Sequence, residues 1–155
     1  MIIEVARISP EGESYVGQEP ASILELDGNQ QTRVEGPVKV ELFALVAGHE
    51  LIVRGTLSVP LSLECSRCAG FFSTTLRVSS FLRAYEVPEG TETVDLTADI
   101  REDILLDLPT IPLCSPACKG LCPQCGKNWN EGPCACKPGS GEAGAWSALD
   151  GLKVD

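Results

Sequence analysis

Residues 51–64 read Leu51-Ile52-Val53-Arg54-Gly55-Thr56-Leu57-Ser58-Val59-Pro60-Leu61-Ser62-Leu63-Glu64. Leu51, Val53, Gly55, Leu57, Val59, Leu61 and Leu63 occupy every second position, with Arg54, Thr56, Ser58, Ser62 and Glu64 among the residues between them. Successive side chains of an extended chain point to opposite faces, so this period of two describes a long strand with one buried face. Pro60 has no N–H for a hydrogen-bond ladder and marks an edge position or a bulge.

The neighbouring segments repeat the pattern. Upstream, Val38, Val40, Leu42, Ala44 and Val46 alternate with Lys39, Glu41 and Phe43, and Gly48-His49 breaks the run. Downstream, Phe72, Thr74, Leu76, Val78, Ser80 and Leu82 alternate with Ser73, Thr75, Arg77, Ser79 and Arg83. Three strands in succession imply an antiparallel meander, and they place Cys65-Ser66-Arg67-Cys68-Ala69-Gly70 at a hairpin tip. Met1–Ile8 reads as a first strand and residues 9–22, rich in Ser, Pro, Gly and Glu, as a loop. Ser22 caps a short helical or extended segment over Ile23–Leu26, before an Asp27-Gly28-Asn29 turn.

After the loop Pro88–Glu92 the period changes. Leu96, Ile100, Ile104 and Leu108 recur every four residues with Leu105 beside them, the pattern of an amphipathic helix of about three turns. Asp95 or Thr97 caps it, Asp99, Glu102 and Asp103 suit its positive end, and Pro109 closes it. The acidic side of this helix reads as a solvated face.

Six cysteines then fall in residues 114–136, with Leu121 and Trp129 the only large apolar side chains there. Such a stretch has no core of its own, so a bound metal is expected to order it. The eight thiols are Cys65, Cys68, Cys114, Cys118, Cys122, Cys125, Cys134 and Cys136. Thiolates are soft ligands that suit Zn²⁺ in a closed tetrahedral site. Cys122-Pro123-Gln124-Cys125-Gly126 has the form of a zinc knuckle, with Gly126 supplying the positive φ of the turn. One pairing unites Cys122, Cys125, Cys134 and Cys136 and leaves Cys65, Cys68, Cys114 and Cys118 to clamp the hairpin tip. A single site from Cys114, Cys118, Cys122 and Cys125 competes with it, as does one joining Cys65 and Cys68 to Cys122 and Cys125. One or two structural zinc ions are therefore expected. Catalytic zinc usually keeps an open position and takes a histidine or carboxylate. The sole histidine, His49, lies at a strand break. No Ser/His/Asp set or phosphate loop is present either, so an enzyme and a small-molecule substrate are not expected.

The chain has 155 residues and a formal net charge of −10. Proteins that bind nucleic acid unaided usually carry a basic stripe. Arg54, Arg67, Arg77 and Arg83 could share one sheet face, although the acidic balance favours scattered surface charge and, weakly, a basic protein as partner. No apolar run approaches the roughly 18 residues of a membrane span, and the N-terminus lacks the form of a signal peptide. A cytoplasmic, thiol-reducing setting follows, in which clustered cysteines bind metal more readily than they pair.

In order along the chain, Cys65-Ser66-Arg67-Cys68, Ile104-Leu105-Leu106-Asp107-Leu108-Pro109, Ile111-Pro112-Leu113-Cys114, Cys118-Lys119-Gly120-Leu121-Cys122-Pro123-Gln124-Cys125-Gly126 and Asn128-Trp129-Asn130 resemble the bacterial large ribosomal RNA subunit accumulation proteins, the YceD-like family. The resemblance spans roughly residues 35–136, with Trp146 as a further match. It implies a small, non-enzymatic cytoplasmic factor in the synthesis, processing or stability of large-subunit (23S) ribosomal RNA. It also implies that the second cysteine group lies outside the family's minimal function. The partner would be a ribosomal protein, an assembly factor or the RNA itself.

The expected architecture is α+β: a twisted antiparallel sheet, one main amphipathic helix and a C-terminal cysteine-rich zinc-binding loop region. Residues 1–111 would form the sheet domain, 112–136 the metal-bound segment packed on it, and 137–155 a linker and short tail with Trp146, Leu149 and Leu152 on one side. A zinc-stabilised protein–protein adaptor without an RNA role is the rival reading, and a thiol-redox protein a weaker one.

Overall fold

The alternating stretches pair with one another as neighbouring strands. The computed structural model describes residues 1–136. Its elements are β1 (Ile2–Glu4), β2 (Glu13–Glu19), β3 (Thr32–Val34), β4 (Val38–Ala47), β5 (Glu50–Glu64), β6 (Phe71–Glu86), β7 (Thr93–Asp95) and α1 (Thr97–Leu106). Short 3-10 turns lie at Val5–Arg7, Ala21–Leu24 and Trp129–Glu131. The linker and helical turns expected over residues 137–155 lie outside the described residues.

β5 is the central strand of an antiparallel sheet. Along one edge it pairs with β6 from Glu50 to Glu64, and along the other with β4 and then β3, end to end. β2 extends the sheet beyond β4, with Tyr15 opposite Leu42. The loop expected over residues 9–22 therefore contains a strand. Glu13–Glu19 carries little apolar side-chain signal of its own, and its order comes from the ladder that β4 offers.

Pro60 differs from expectation too. The β4 pairing ends at Ser58 and the β3 pairing begins at Leu61, so Pro60 sits where neither strand needs its missing N–H. Its carbonyl accepts from the Glu35 N–H at 2.9 Å on that same side.

A bulge changes the phase of β6. Gly55 pairs with Phe81 but Leu57 pairs with Val78, which leaves Ser79 and Ser80 facing Thr56. Beyond the bulge Phe81, Arg83 and Tyr85 point toward the core side and Leu82 is 59% exposed. Alternation read straight through the bulge gives Leu82 and Arg83 the opposite orientations. Gly55 marks the same place: a Cβ there would stand 2.1 Å from the Glu41 carbonyl oxygen.

The inner face of the sheet carries the core. Leu51, Val53, Leu57, Val59 and Leu61 of β5 are fully buried together with Val38 and Val40 of β4. They are covered by the β1–β7 ribbon, by Leu24 of the second 3-10 turn, and by Leu96, Ile100 and Ile104 of the helix. The N-cap position falls to Leu96, which makes no side-chain cap, in place of the expected Asp95 or Thr97; Asp95 braces the entry from one residue earlier, its Oδ1 accepting from the Thr97 N–H at 2.9 Å and the Thr97 hydroxyl at 2.6 Å. The helix stops at Leu106, short of Pro109, and Leu106 is 75% exposed.

Part of the acidic helical side is not solvated. The Arg83 guanidinium lies 3.3 Å from Asp99 and pairs with Asp103, and the Tyr85 hydroxyl donates to Asp99. Burial alone would lower the Arg83 pKa, but the Asp103 and Asp99 carboxylates raise it above its ordinary value. Burial and the hydrogen bond to Asp99 raise that of Tyr85. Arg54, Arg67, Arg77 and Arg83 consequently do not share a face. Arg83 lies between sheet and helix, and Arg67 lies at the hairpin tip.

Candidate metal centre

Two CxxC turns build the site, and both have the same backbone. At the hairpin tip the Cys65 N–H donates to the Gly70 carbonyl at 2.9 Å and the Ala69 N–H to the Cys65 carbonyl at 2.9 Å. In the second turn the Cys122 N–H donates to the Lys127 carbonyl and the Gly126 N–H to the Cys122 carbonyl, each at 2.8 Å. The fifth residue of each is left-handed, Ala69 at φ 53° and Gly126 at φ 73°. This closure is what a two-residue spacer between ligating thiols requires.

The thiols gather into two groups of four: Cys65, Cys68, Cys114 and Cys118, and Cys122, Cys125, Cys134 and Cys136. Within each group all sulfurs lie within 4.8 Å of one another. Cys65 and Cys118 are 3.8 Å apart, as are Cys68 and Cys114. Four sulfurs at about 2.3 Å from a tetrahedral ion stand about 3.8 Å apart, so the first group has the spacing of a tetrathiolate site. It is far too wide for disulfides, whose sulfurs approach to about 2 Å. Each cluster could hold a metal ion. Of the three pairings open from the sequence, the structure contains the one that separates the hairpin thiols with Cys114 and Cys118 from the later four.

The two groups differ in setting. Cys65, Cys68 and Cys118 are buried, with Phe72 and Leu113 packed against them. Arg67 ties the tip to the later loop by donating to the Pro116 carbonyl at 3.2 Å and the Cys118 carbonyl at 3.0 Å. Gly120 lets the loop come this close, since a Cβ there would stand 3.0 Å from the Arg67 carbonyl oxygen. In the second group Cys122 is buried, Cys125 exposed, and Cys134 and Cys136 half-buried.

N–H donors surround the sulfurs. Asn130 Nδ2 donates to Cys118 Sγ at 3.3 Å, and the Trp129 indole N–H donates to Cys134 Sγ at 3.4 Å. These two residues were not among the site residues expected from thiol spacing. The signal available was their position between the second CxxC and the CxC, where no core exists to receive them.

The donors divide the thiols by acidity. The Cys114 backbone N–H, with those of Cys68 and Arg67, brings Cys65 down to about 6 despite burial. The Trp129 indole, then the Cys136 backbone, brings Cys134 down to about 6. Asn130 lowers Cys118. Cys114 is pushed up to about 12 by its hydrogen bonds to Cys118 and Cys65, and Cys136 to about 12 by its bond to Cys125 and by burial. Each cluster thus offers a ready thiolate, Cys65 or Cys134, beside thiols that release a proton only when an ion replaces it. His49 joins neither group, and among the described residues no carboxylate does.

The fold and the thiols define a class: an α+β protein whose sheet hairpin and post-helix loop meet through one four-cysteine cluster, with a second four-cysteine cluster within the loops that follow. The description "Large ribosomal RNA subunit accumulation protein YceD" matches residues 83–153. An uncharacterized protein of Mycobacterium tuberculosis is 30% identical over 168 residues, 90% of this chain and 73% of that one. The maize "Large ribosomal RNA subunit accumulation protein YCED homolog 1, chloroplastic" is 40% identical over 52 residues, 33% of this chain and 18% of its own. The Arabidopsis thaliana protein of the same description is 35% identical over 49 residues, 32% of this chain and 15% of its own. No solved structure matches the chain. The chain belongs to the YceD family.

Proposed function

We propose that this protein is a non-enzymatic cytoplasmic factor for the accumulation of 23S ribosomal RNA and assembly of the large subunit. Its two clusters hold zinc as structural ions. The observation that carries the functional reading is the family match over residues 83–153, which includes the helix and the cysteine-rich loops. The donor sets support the zinc assignment: four sulfurs per site, N–H groups aimed at the sulfurs, and no ligand of another kind. A tetrathiolate zinc is coordinatively full, which favours a scaffold over a reaction centre. The thiol-redox reading fares worse, because the Cys65-Cys68 pair sits on a β-hairpin with its sulfurs against Cys118 and Cys114, away from any helix start.

The decisive experiment removes the gene and measures the ratio of large- to small-subunit ribosomal RNA. A fall in the ratio, reversed by the intact gene, is expected, and an unchanged ratio would overturn the reading. Elemental analysis of protein purified under reducing conditions should find two zinc ions per chain.

A further inference from the structure

The outward face of the sheet carries no layer among the described elements; the helix and the β1–β7 ribbon cover the other side. Its rows are set by register. Lys39, Ser58 and Arg77 lie abreast, as do Phe43, Arg54 and Leu82. Arg33 stands over the Phe71 ring at 4.1 Å from its centroid, and Arg54 over Phe43 at 5.4 Å. Arg33, Lys39, Arg54 and Arg77 are all exposed. None forms an ion pair among the described residues, whereas Arg7, Arg83 and Arg101 do. Glu35, Glu41, Glu50, Glu64 and Glu86 lie on the same face, Glu41 between the two rows and Glu64 opposite Phe71, yet none stands within ion-pair distance of the four cations.

The remaining cations of the described chain lie along the cysteine loops. Arg67 and Lys127 donate to loop carbonyls, and Lys119 follows Cys118. Four thiolates around a divalent ion leave a net charge of about −2, so these cations are local counter-charges. Arg33, Lys39, Arg54 and Arg77 are thus the cations of the described chain that neither pair with a carboxylate nor sit beside the thiol clusters.

We propose that this face binds a single-stranded stretch of RNA. Lys39, Arg77 and the edges of the arginine forks meet phosphates, and bases stack on the Arg54–Phe43 and Arg33–Phe71 pairs. An open sheet with aromatic and guanidinium planes suits unstacked bases, whereas duplex RNA is read mostly by shape and backbone contacts across its minor groove. An acidic protein segment would satisfy the charges but make no use of two planar stacks. The inference rests on the reading under Proposed function and adds the surface and the form of nucleic acid.

The test is fluorescence anisotropy of the full, zinc-loaded chain with a labelled unstructured RNA oligonucleotide over a range of salt. The triple variant K39Q/R54Q/R77Q should lose at least about tenfold in affinity at low salt. Its slope of log affinity against log salt should flatten by about 2, from three phosphate contacts at about 0.7 each. Phe71→Leu should weaken binding about tenfold through lost stacking, and Arg7→Gln should leave it unchanged. Should the triple variant fail to fold, Arg77→Gln alone is expected to flatten the slope by about 0.7.

Absence of binding by the native chain at low salt, or equal binding by the triple variant, overturns the proposal. So does a preference for the duplex, or retention of an acidic protein in place of RNA. In cells the two readings separate. Full rescue of a deletion by the triple variant would remove the face and leave the function standing, whereas a deletion without effect on ribosomal RNA would remove the function itself.

Discussion

At the scale of single residues, the two CxxC turns share one backbone form but fill its left-handed position differently. Gly126 occupies the left-handed site of one turn and Ala69 that of the other. A Cβ in that conformation costs about 1–2 kcal/mol, and the greater backbone entropy of glycine takes back part of it. Ala69→Gly should therefore raise stability by up to about 1 kcal/mol, read as a shift of the denaturation midpoint, while Gly126→Ala should lower the metal affinity of the second cluster. Asn130 acts on the first cluster through its N–H to Cys118 and is itself held by the Lys119 N–H, which donates to its Oδ1 at 2.9 Å. Donors of this kind typically govern metal affinity by about 10–100-fold. Asn130→Ala should weaken the first cluster by that factor in a competition titration with a zinc chelator, and leave the second unchanged. The eight thiols were legible from sequence because their spacing is a ligand pattern. Asn130 was not, because a polar residue in a loop has no period to betray it.

At the scale of elements, β6 shows where pattern reading stops. Its first half follows the alternation with Phe72, Leu76 and Val78 turned inward, and one extra residue, where Ser79 and Ser80 face Thr56 alone, then reverses the phase. Ser79 and Ser80 carry no apolar signal, so a bulge between them cannot be told from continued alternation by periodicity alone. The reversal brings Arg83 beneath the helix, where it joins Asp99 and Asp103. The side chain of Asp103 is only 12% exposed and that of Arg83 30%, so removing the cation strands a carboxylate in a half-dry setting. Breaking a fully buried pair costs about 3–5 kcal/mol, and the remaining exposure reduces this to about 2. Arg83→Leu should lower stability by about that amount, and Arg83→Leu with Asp103→Leu should recover much of it. A double-mutant cycle in urea measures the coupling. β2 went unseen for a related reason: Tyr15 and Gly17 face inward from a stretch whose other residues are mostly polar, so β4 organises it more than its own pattern does.

At the scale of the whole molecule, two separate means of holding the chain meet at the hairpin tip. The sheet and helix share one apolar core, whose leucines, valines and isoleucines announced themselves by period two and then by period four. The cysteine loops contribute almost nothing to that core, and the described chain from Cys114 to Cys136 is held by thiol clusters and a few turn hydrogen bonds. With zinc in both clusters as proposed, acid and chelator should act on the second part alone. Cys68, Cys114 and Cys136 are raised above the ordinary thiol value, so at neutral pH each keeps its proton until an ion displaces it. Metal binding releases those protons, and lowering the pH therefore opposes it. In the first cluster Cys68 and Cys114 both do this, so affinity should fall by at least about a hundredfold per pH unit below neutrality, and more steeply once Cys65, at about 6, takes up its proton. The second cluster, with only Cys122 buried, should give up its ion first, and the first, with three thiols buried and walled by Phe72, Leu113 and the sheet end, more slowly. Amide exchange during a chelator or pH titration should then rise across 122–136, next across 112–121 and the tip at 65–70, while the amides of β4 and β5 remain protected. Simultaneous loss of protection in β5 and the loops would mean that the metal supports the whole fold, and one metal-release step in place of two would mean that the clusters act as a unit.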